Sequence, residues 1–159
     1  MKIYLDKKKF YLFILIYSLI AISFALYIEH ILHYKPCKLC IYQRIPYIIL
    51  IFVSFVGYNY FENNKILILI VIIFLISALI SGYHYGIEKN IFEEFSGCST
   101  GTIDILNKDE LLKSLSSDNN ISCKNANFKI LGISLAGMNF LLSLLIALYS
   151  LKTLSYEKN

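Results

Sequence analysis

The chain has 159 residues, of which 57% are hydrophobic and only 16% charged, with a mean hydropathy of +0.62 and a formal net charge of +4. A soluble domain of this length is not composed this way, so an ordinary water-soluble fold is excluded. The positive charge comes mostly from lysines at the N-terminus, and no P-loop, dinucleotide fingerprint or nucleic-acid motif accompanies it, so it speaks for membrane orientation and against a nucleic-acid partner.

Lys2, Lys7, Lys8 and Lys9 precede the first uncharged apolar run, Phe10 to Ile28. A basic stretch before an apolar one can be a secretory leader. This run exceeds the apolar core of about 7 to 15 residues typical of leaders and lacks a small-x-small cleavage site, so it is read as an anchored helix. Three more runs follow, Ile45 to Phe61, Ile66 to Tyr83 and Ile130 to Leu151. A hydrocarbon core of about 30 Å takes about 20 helical residues. The expected fold is an all-α membrane protein in one domain, residues 1–159. It is a four-transmembrane-helix bundle over 10–28, 45–61, 66–83 and 130–151, with outer loops 29–44 and 84–129. Pro46 stands near the start of the second run, where the first helical turn tolerates it, so Tyr42 to Pro46 marks the entrance.

Basic residues near helix ends favour the cytoplasmic side. Placing the lysine-rich N-terminus inside puts the Asn59 to Lys65 turn and the C-terminal tail, with Lys152 and Lys158, inside as well. Lys35, Lys38 and Arg44 in the first outer loop run counter to the rule. In the second outer loop Leu106, Leu111, Leu112 and Leu115 recur at roughly helical spacing, and Asn107 with Glu110 resembles a capping box. A short helix over about Lys108 to Ser116 is expected, lying in the interface or packed on the bundle. In the fourth run, Gly132-x-x-x-Ala136 is small-x-x-x-small spacing suited to close helix packing, and Asn139 can hydrogen-bond across helices.

All four cysteines, Cys37, Cys40, Cys98 and Cys123, fall in the two outer loops. Disulfides persist in oxidising extracytoplasmic space, so an even number of thiols on one face reads as two pairs there. Four cysteines permit three connectivities, and Cys37 with Cys40 and Cys98 with Cys123 is the natural resting one. Cys37-x-x-Cys40 is a dithiol whose disulfide can close and open locally at the membrane edge. Arg44, four residues on, stays charged even in partly apolar surroundings and can stabilise a thiolate or a reduced anionic acceptor. His84 and Glu88 lie four apart at the end of the third run, where ionisable groups are functional candidates.

Pro36-Cys37-Lys38-Leu39-Cys40-Ile41-Tyr42-Gln43-Arg44 resembles the signature of the disulfide bond formation protein B family (DsbB). The likeness continues in the same order through Gly82-Tyr83-His84-Tyr85-Gly86-Ile87-Glu88, Gly97-Cys98-Ser99, and Leu131-Gly132-Ile133-Ser134-Leu135-Ala136-Gly137-Met138-Asn139 after Cys123. Phe128, where the family often has tryptophan, and Pro46 after the arginine depart from the commoner pattern. The vitamin K epoxide reductase-like enzymes use a similar bundle, but their loop cysteines precede the Cys-x-x-Cys pair, the reverse of the order here.

The resemblance implies a multi-pass inner-membrane oxidoreductase with cytoplasmic termini and periplasmic cysteines. It would reoxidise a periplasmic thioredoxin-like oxidant (DsbA-like) and pass electrons to a quinone, ubiquinone or menaquinone. By similarity Cys98 forms the mixed disulfide with the partner, Cys123 attacks Cys37, and Cys40 is released toward the quinone, with Arg44, His84 and Glu88 as candidate quinone-binding residues. Two readings from other classes stand beside it. One is a non-enzymatic membrane protein whose two disulfides only stabilise its outer loops. The other is a metal site built from His30-x-x-His33 with Cys37-x-x-Cys40; thiols in oxidising space favour oxidation over metal, so no metal is expected.

Overall fold

The computed structural model describes residues 2–60, 63–93, 123–124, 129–130 and 132–158. In chain order these form α1 (Lys2–His30), α2 (Lys38–Tyr42), α3 (Arg44–Asn59), α4 (Asn64–Glu88), β1 (Lys129–Ile130), β2 (Ile133–Ser134) and α5 (Leu135–Lys158). Four segments, Lys7–His30, Lys38–Asn59, Asn64–Glu88 and Leu135–Leu154, are long and apolar enough to cross a membrane. The chain is an all-α, multi-pass membrane bundle. Lipid offers no partner to a free amide, so uninterrupted helices, which satisfy their backbone internally, are the conformation these runs can adopt there.

Because lipid and core are both apolar, these helices are not divided into an oily and a polar face. Phe52 and Leu79 are 68% and 74% exposed, as lipid-facing side chains are. The inward faces add aromatic, small and hydroxylated side chains to aliphatic ones: Tyr11, Phe74, Ala147, Ser77, Ser81 and Ser143 are buried together with Ile14, Leu50 and Ile70. Packing is closest between α4 and α5 and between α1 and α3, with α3 also against α4. At Gly57 of α3 an added Cβ would lie 2.6 Å from the Tyr11 ring, so glycine is what lets α1 and α3 approach. At the end of the bundle away from the dithiol, Lys7 Nζ donates to Asn64 Oδ1 at 2.9 Å, and the Asn63 side chain caps α4 through the Lys65 amide at 3.0 Å.

The helices overrun or shift from the boundaries expected from sequence, α1 running Lys2–His30 instead of 10–28, and three of the differences bear on the site. The second span is two helices, α2 and α3, joined at Gln43; Pro46 lies in the first turn of α3 and has no amide proton to continue a ladder from α2. The third span does not stop at Tyr83 but continues to Glu88, which brings His84 and Glu88 into α4 instead of the loop. The fourth helix starts at Leu135, not Ile130, because β1 and β2 pair antiparallel, Lys129 with Ser134 and Ile130 with Ile133. Gly132 therefore lies in a turn with φ +84, and nothing stands within 4 Å of a Cβ placed there. The close-packing role expected of Gly132 falls to Gly137, where a Cβ would meet the Tyr85 ring at 2.9 Å. The short helix expected near residues 108–116 lies outside the described residues.

Candidate functional site

The site is assembled where α1 and α4 end and α2, α3 and α5 begin. After α1 the chain passes through His33, which takes a left-handed backbone (φ 56), and reaches Cys37 as the N-cap of α2. The Cys37 sulfur accepts the Cys40 amide proton at 3.3 Å, as a serine or aspartate oxygen does at other helix starts. The Cys40 Sγ lies 2.9 Å from Cys37 Sγ, close enough for either thiol to donate to the other's thiolate. Both are free cysteines, so the pair expected to rest as a disulfide is present here as a dithiol.

His84 and Glu88 come to this dithiol from α4. His84 Nε2 is 3.6 Å from Cys37 Sγ, and Glu88 Oε1 is 3.7 Å from the same nitrogen. The Cys40 S–H donated to Cys37 outweighs the upward push of burial, and with help from His84 it holds the Cys37 thiol well below the usual thiol range. Arg44, on the first residue of α3, pairs through Nη1 with Glu29 Oε2 of α1 at 2.5 Å.

A cavity of about 310 Å³ joins these groups, lined by Cys37, Cys40, Arg44, His84 and Glu88 at its polar end. Ile20, Phe24 and Leu142 are among the apolar side chains of its walls. Five residues singled out from sequence are thus gathered in one place. Cys123 sits behind it: buried, disulfide-bonded, and packed in one cluster with Cys37 and Ile87. Cys98 lies outside the described residues.

His30 and His33 are not in this assembly. Among the described residues, the cysteine pair is approached by His84, the three ligand-type atoms lying within 4.8 Å of one another. The two sulfurs stand 2.9 Å apart. Two sulfurs bound tetrahedrally at about 2.3 Å from one ion would stand nearly 4 Å apart.

Sequence reasoning gave no role to four of the side chains that support this site, and gave a fifth only a general one. Gln43 Nε2 lies 2.9 Å from His84 Nδ1, and Asn139 Nδ2 donates to Gln43 Oε1 at 3.2 Å. Tyr47 donates its hydroxyl to Asn139 Oδ1, and Ser143 Oγ donates to the same oxygen at 3.1 Å. Asn139 was expected to bond across helices, as a polar residue inside an apolar run does. Gln43 was visible only as a motif letter, and Tyr47, Ser143 and Glu29 were not singled out.

Residues 7–153 match the family model described as "Disulfide bond formation protein DsbB". The chain is 37% identical over 146 residues to the uncharacterized protein RP370 of Rickettsia prowazekii, covering 89% of this chain and 84% of that one. It is 28% identical over 145 residues to disulfide bond formation protein B of Acinetobacter baumannii, covering 84% of each. It is also 35% identical over 89 residues to probable disulfide formation protein C 1 of Bacillus cereus, covering 54% of this chain and 61% of that one.

Proposed function

The chain belongs to the disulfide bond formation protein DsbB family, and from that membership we propose that it reoxidises a periplasmic thioredoxin-like dithiol oxidase (DsbA-like) and delivers the electrons to a membrane quinone. The family makes it a membrane disulfide oxidoreductase. The observation that carries the finer reading is the position of Cys37, which packs against Cys123 on one side and shares a membrane cavity with Cys40 and Arg44 on the other. In this reading the protein lies in the inner membrane with both termini cytoplasmic and the cysteines periplasmic.

The cavity fits a flat apolar ring with polar oxygens: its walls are aliphatic and aromatic, while Arg44, His84 and the Gln43 and Asn139 amides stand at the dithiol end. A bound quinone, ubiquinone or menaquinone, supplies a sink for two electrons and two protons. Arg44, His84 and Glu88 are the residues we assign to holding it.

Cys37 and Cys40 being free thiols, Cys98 is the remaining cysteine of the chain, and we assign it as the partner of Cys123. The oxidant's thiolate attacks the Cys98 sulfur, forming the mixed disulfide and freeing Cys123 as thiolate. Cys123 then attacks Cys37 of a Cys37–Cys40 disulfide, forming one sulfur–sulfur bond as the other breaks and releasing Cys40. Each exchange depends on thiolate fraction and leaving-group acidity. The Arg44 guanidinium stabilises the Cys40 thiolate released beside it. The partner's second thiolate displaces Cys98 from the mixed disulfide, Cys98 recloses on Cys123 and releases Cys37, and Cys37 and Cys40 would reclose as two electrons and two protons pass to the quinone; over one turnover the partner's two thiols become a disulfide.

The test is purified protein in detergent, mixed with a reduced thioredoxin-like partner and a quinone, with quinol followed by absorbance. Quinol formed with concurrent partner oxidation is the expected result. Absence of turnover with both ubiquinone and menaquinone would reject the reading and leave two loop-stabilising disulfides as the account of these cysteines.

A further inference from the structure

The hydrogen bonds behind His84 have a direction. Asn139 Oδ1 receives two hydroxyl protons, from Tyr47 and from Ser143. An amide oxygen holding two donors leaves the Asn139 Nδ2 to face the other way, and it donates to Gln43 Oε1 at 3.2 Å. With its oxygen so engaged, Gln43 can offer only Nε2–H to His84 Nδ1, 2.9 Å away. Nδ1 is then an acceptor, and a neutral ring carries its proton on Nε2, the nitrogen 3.6 Å from the Cys37 sulfur. Turning over either amide would set oxygen against oxygen or N–H against N–H within the buried bundle, where unpaired polar groups are costly.

We propose that Tyr47, Asn139 and Gln43 are positioning residues that fix His84 as the Nε2–H tautomer and aim that N–H at the Cys37 sulfur. The chain draws on three spans: Gln43 and Tyr47 from the second, His84 from the third and Asn139 from the fourth. Among the described residues, the titratable groups at Cys37 are the Cys40 thiol, the His84 ring and, through that ring, Glu88, with the disulfide-bonded Cys123 packed beside it; Lys35 and Arg44 are cations lining the same cavity. Of these, only His84 has its proton placed by the interior of the bundle. For its consequence the inference rests on Cys37 being an exchange thiol: a donor already in position stabilises the Cys37 thiolate that leaves as Cys98 attacks Cys123 and breaks the Cys37–Cys123 bond. Its geometry does not rest on that reading.

The chain has three histidines, so substituting His30→Gln and His33→Gln leaves His84 as the one ring signal. Nitrogen-15 ring spectra of the neutral imidazole, recorded on the reduced full-length protein in detergent, are expected to place the proton on Nε2. In Asn139→Asp, a carboxylate that only accepts draws Gln43 Nε2 toward it, turns Gln43 Oε1 to the ring and moves the proton to Nδ1. With Cys40, Cys98 and Cys123 replaced by serine, Asn139→Asp is expected to lower the Cys37 thiolate fraction at a fixed acidic pH about tenfold, read by alkylation rate. A proton found on Nδ1 in the parent protein overturns the proposal, and that spectrum decides even if Asn139→Asp does not fold. An unchanged tautomer in a folded Asn139→Asp overturns it equally. Neither measurement uses partner or quinone, so failure of turnover and failure of this inference are separate results.

Discussion

Arg44 Nη1 lies 2.5 Å from Glu29 Oε2, tying the first residue of α3 to the last turn of α1 at the dithiol end of the bundle. The guanidinium is therefore aimed by an acid that no motif announces. Arg44→Gln is expected to lower quinol formation about 10- to 100-fold while thiol exchange with the partner stays intact, since a charged hydrogen-bond donor is lost only at the last step. Glu29→Gln keeps the cation and loses a partly exposed pair, so its effect should be at most about fivefold. Parallel assays of quinol absorbance and mixed-disulfide formation on gels separate the two steps; equal loss in both assays for Arg44→Gln would remove it from the electron exit.

The shared packing of Cys37, Ile87 and Cys123 leads to a covalent expectation. In Cys40→Ser, which cannot reclose the Cys37–Cys40 disulfide, a bond between Cys37 and Cys123 should accumulate on exposure to oxidant. Peptide mapping without reductant detects it directly. If Cys37 instead joined Cys98, the order of attack given above would be reversed.

The Cys37 thiol is held below the ordinary thiol range by the Cys40 donor, despite burial. A single-thiol protein with serine at the other three positions keeps a hydroxyl donor at residue 40. Its alkylation rate should stay high well below the ordinary thiol value of about 8.5 and fall only on further acidification. In sign, an unfolded chain binds more protons than the folded one in that window. The contribution to stability of the reduced protein is thus full above the ordinary value and declines as pH falls through the folded one. A rate that titrates near 8.5 would show that the site does not acidify Cys37.

Two glycines should respond differently to alanine. Gly57→Ala places a methyl against the buried Tyr11 ring and should cost about 1–3 kcal/mol by overpacking. Gly132→Ala meets no atom within 4 Å but must adopt φ +84, and should cost about 1 kcal/mol through backbone strain. Reversible unfolding in mixed detergents reads both. An unperturbed Gly57→Ala would mean that α1 and α3 can part at that crossing.

The spans and the placement of the dithiol were legible because apolar length and cysteine position are local properties of the chain. Less legible was where each helix ends. Tyr83 closes an apolar run, yet the backbone ladder carries on through His84 to Glu88 because that turn is buried against other elements. Gly132 read as a helix-packing residue because nothing nearby in sequence reveals the β1–β2 pairing that takes it out of the helix. Bonds such as Gln43 to Asn139, 96 residues apart, follow from the pairing of spans and have no signature in periodicity.

The seclusion of the two loop-to-loop sulfurs has one more consequence. Cys37 is 6% exposed and Cys123 1% exposed, and both pack with the buried Ile87. Thiol exchange needs the attacking sulfur to reach its target along the bond it breaks, so small soluble thiols are shut out of this junction while a tethered neighbour is already inside. In the proposed circuit this burial keeps stray soluble thiols from feeding electrons in at the Cys37–Cys123 junction, so that only a partner engaged at the outer loop is oxidised.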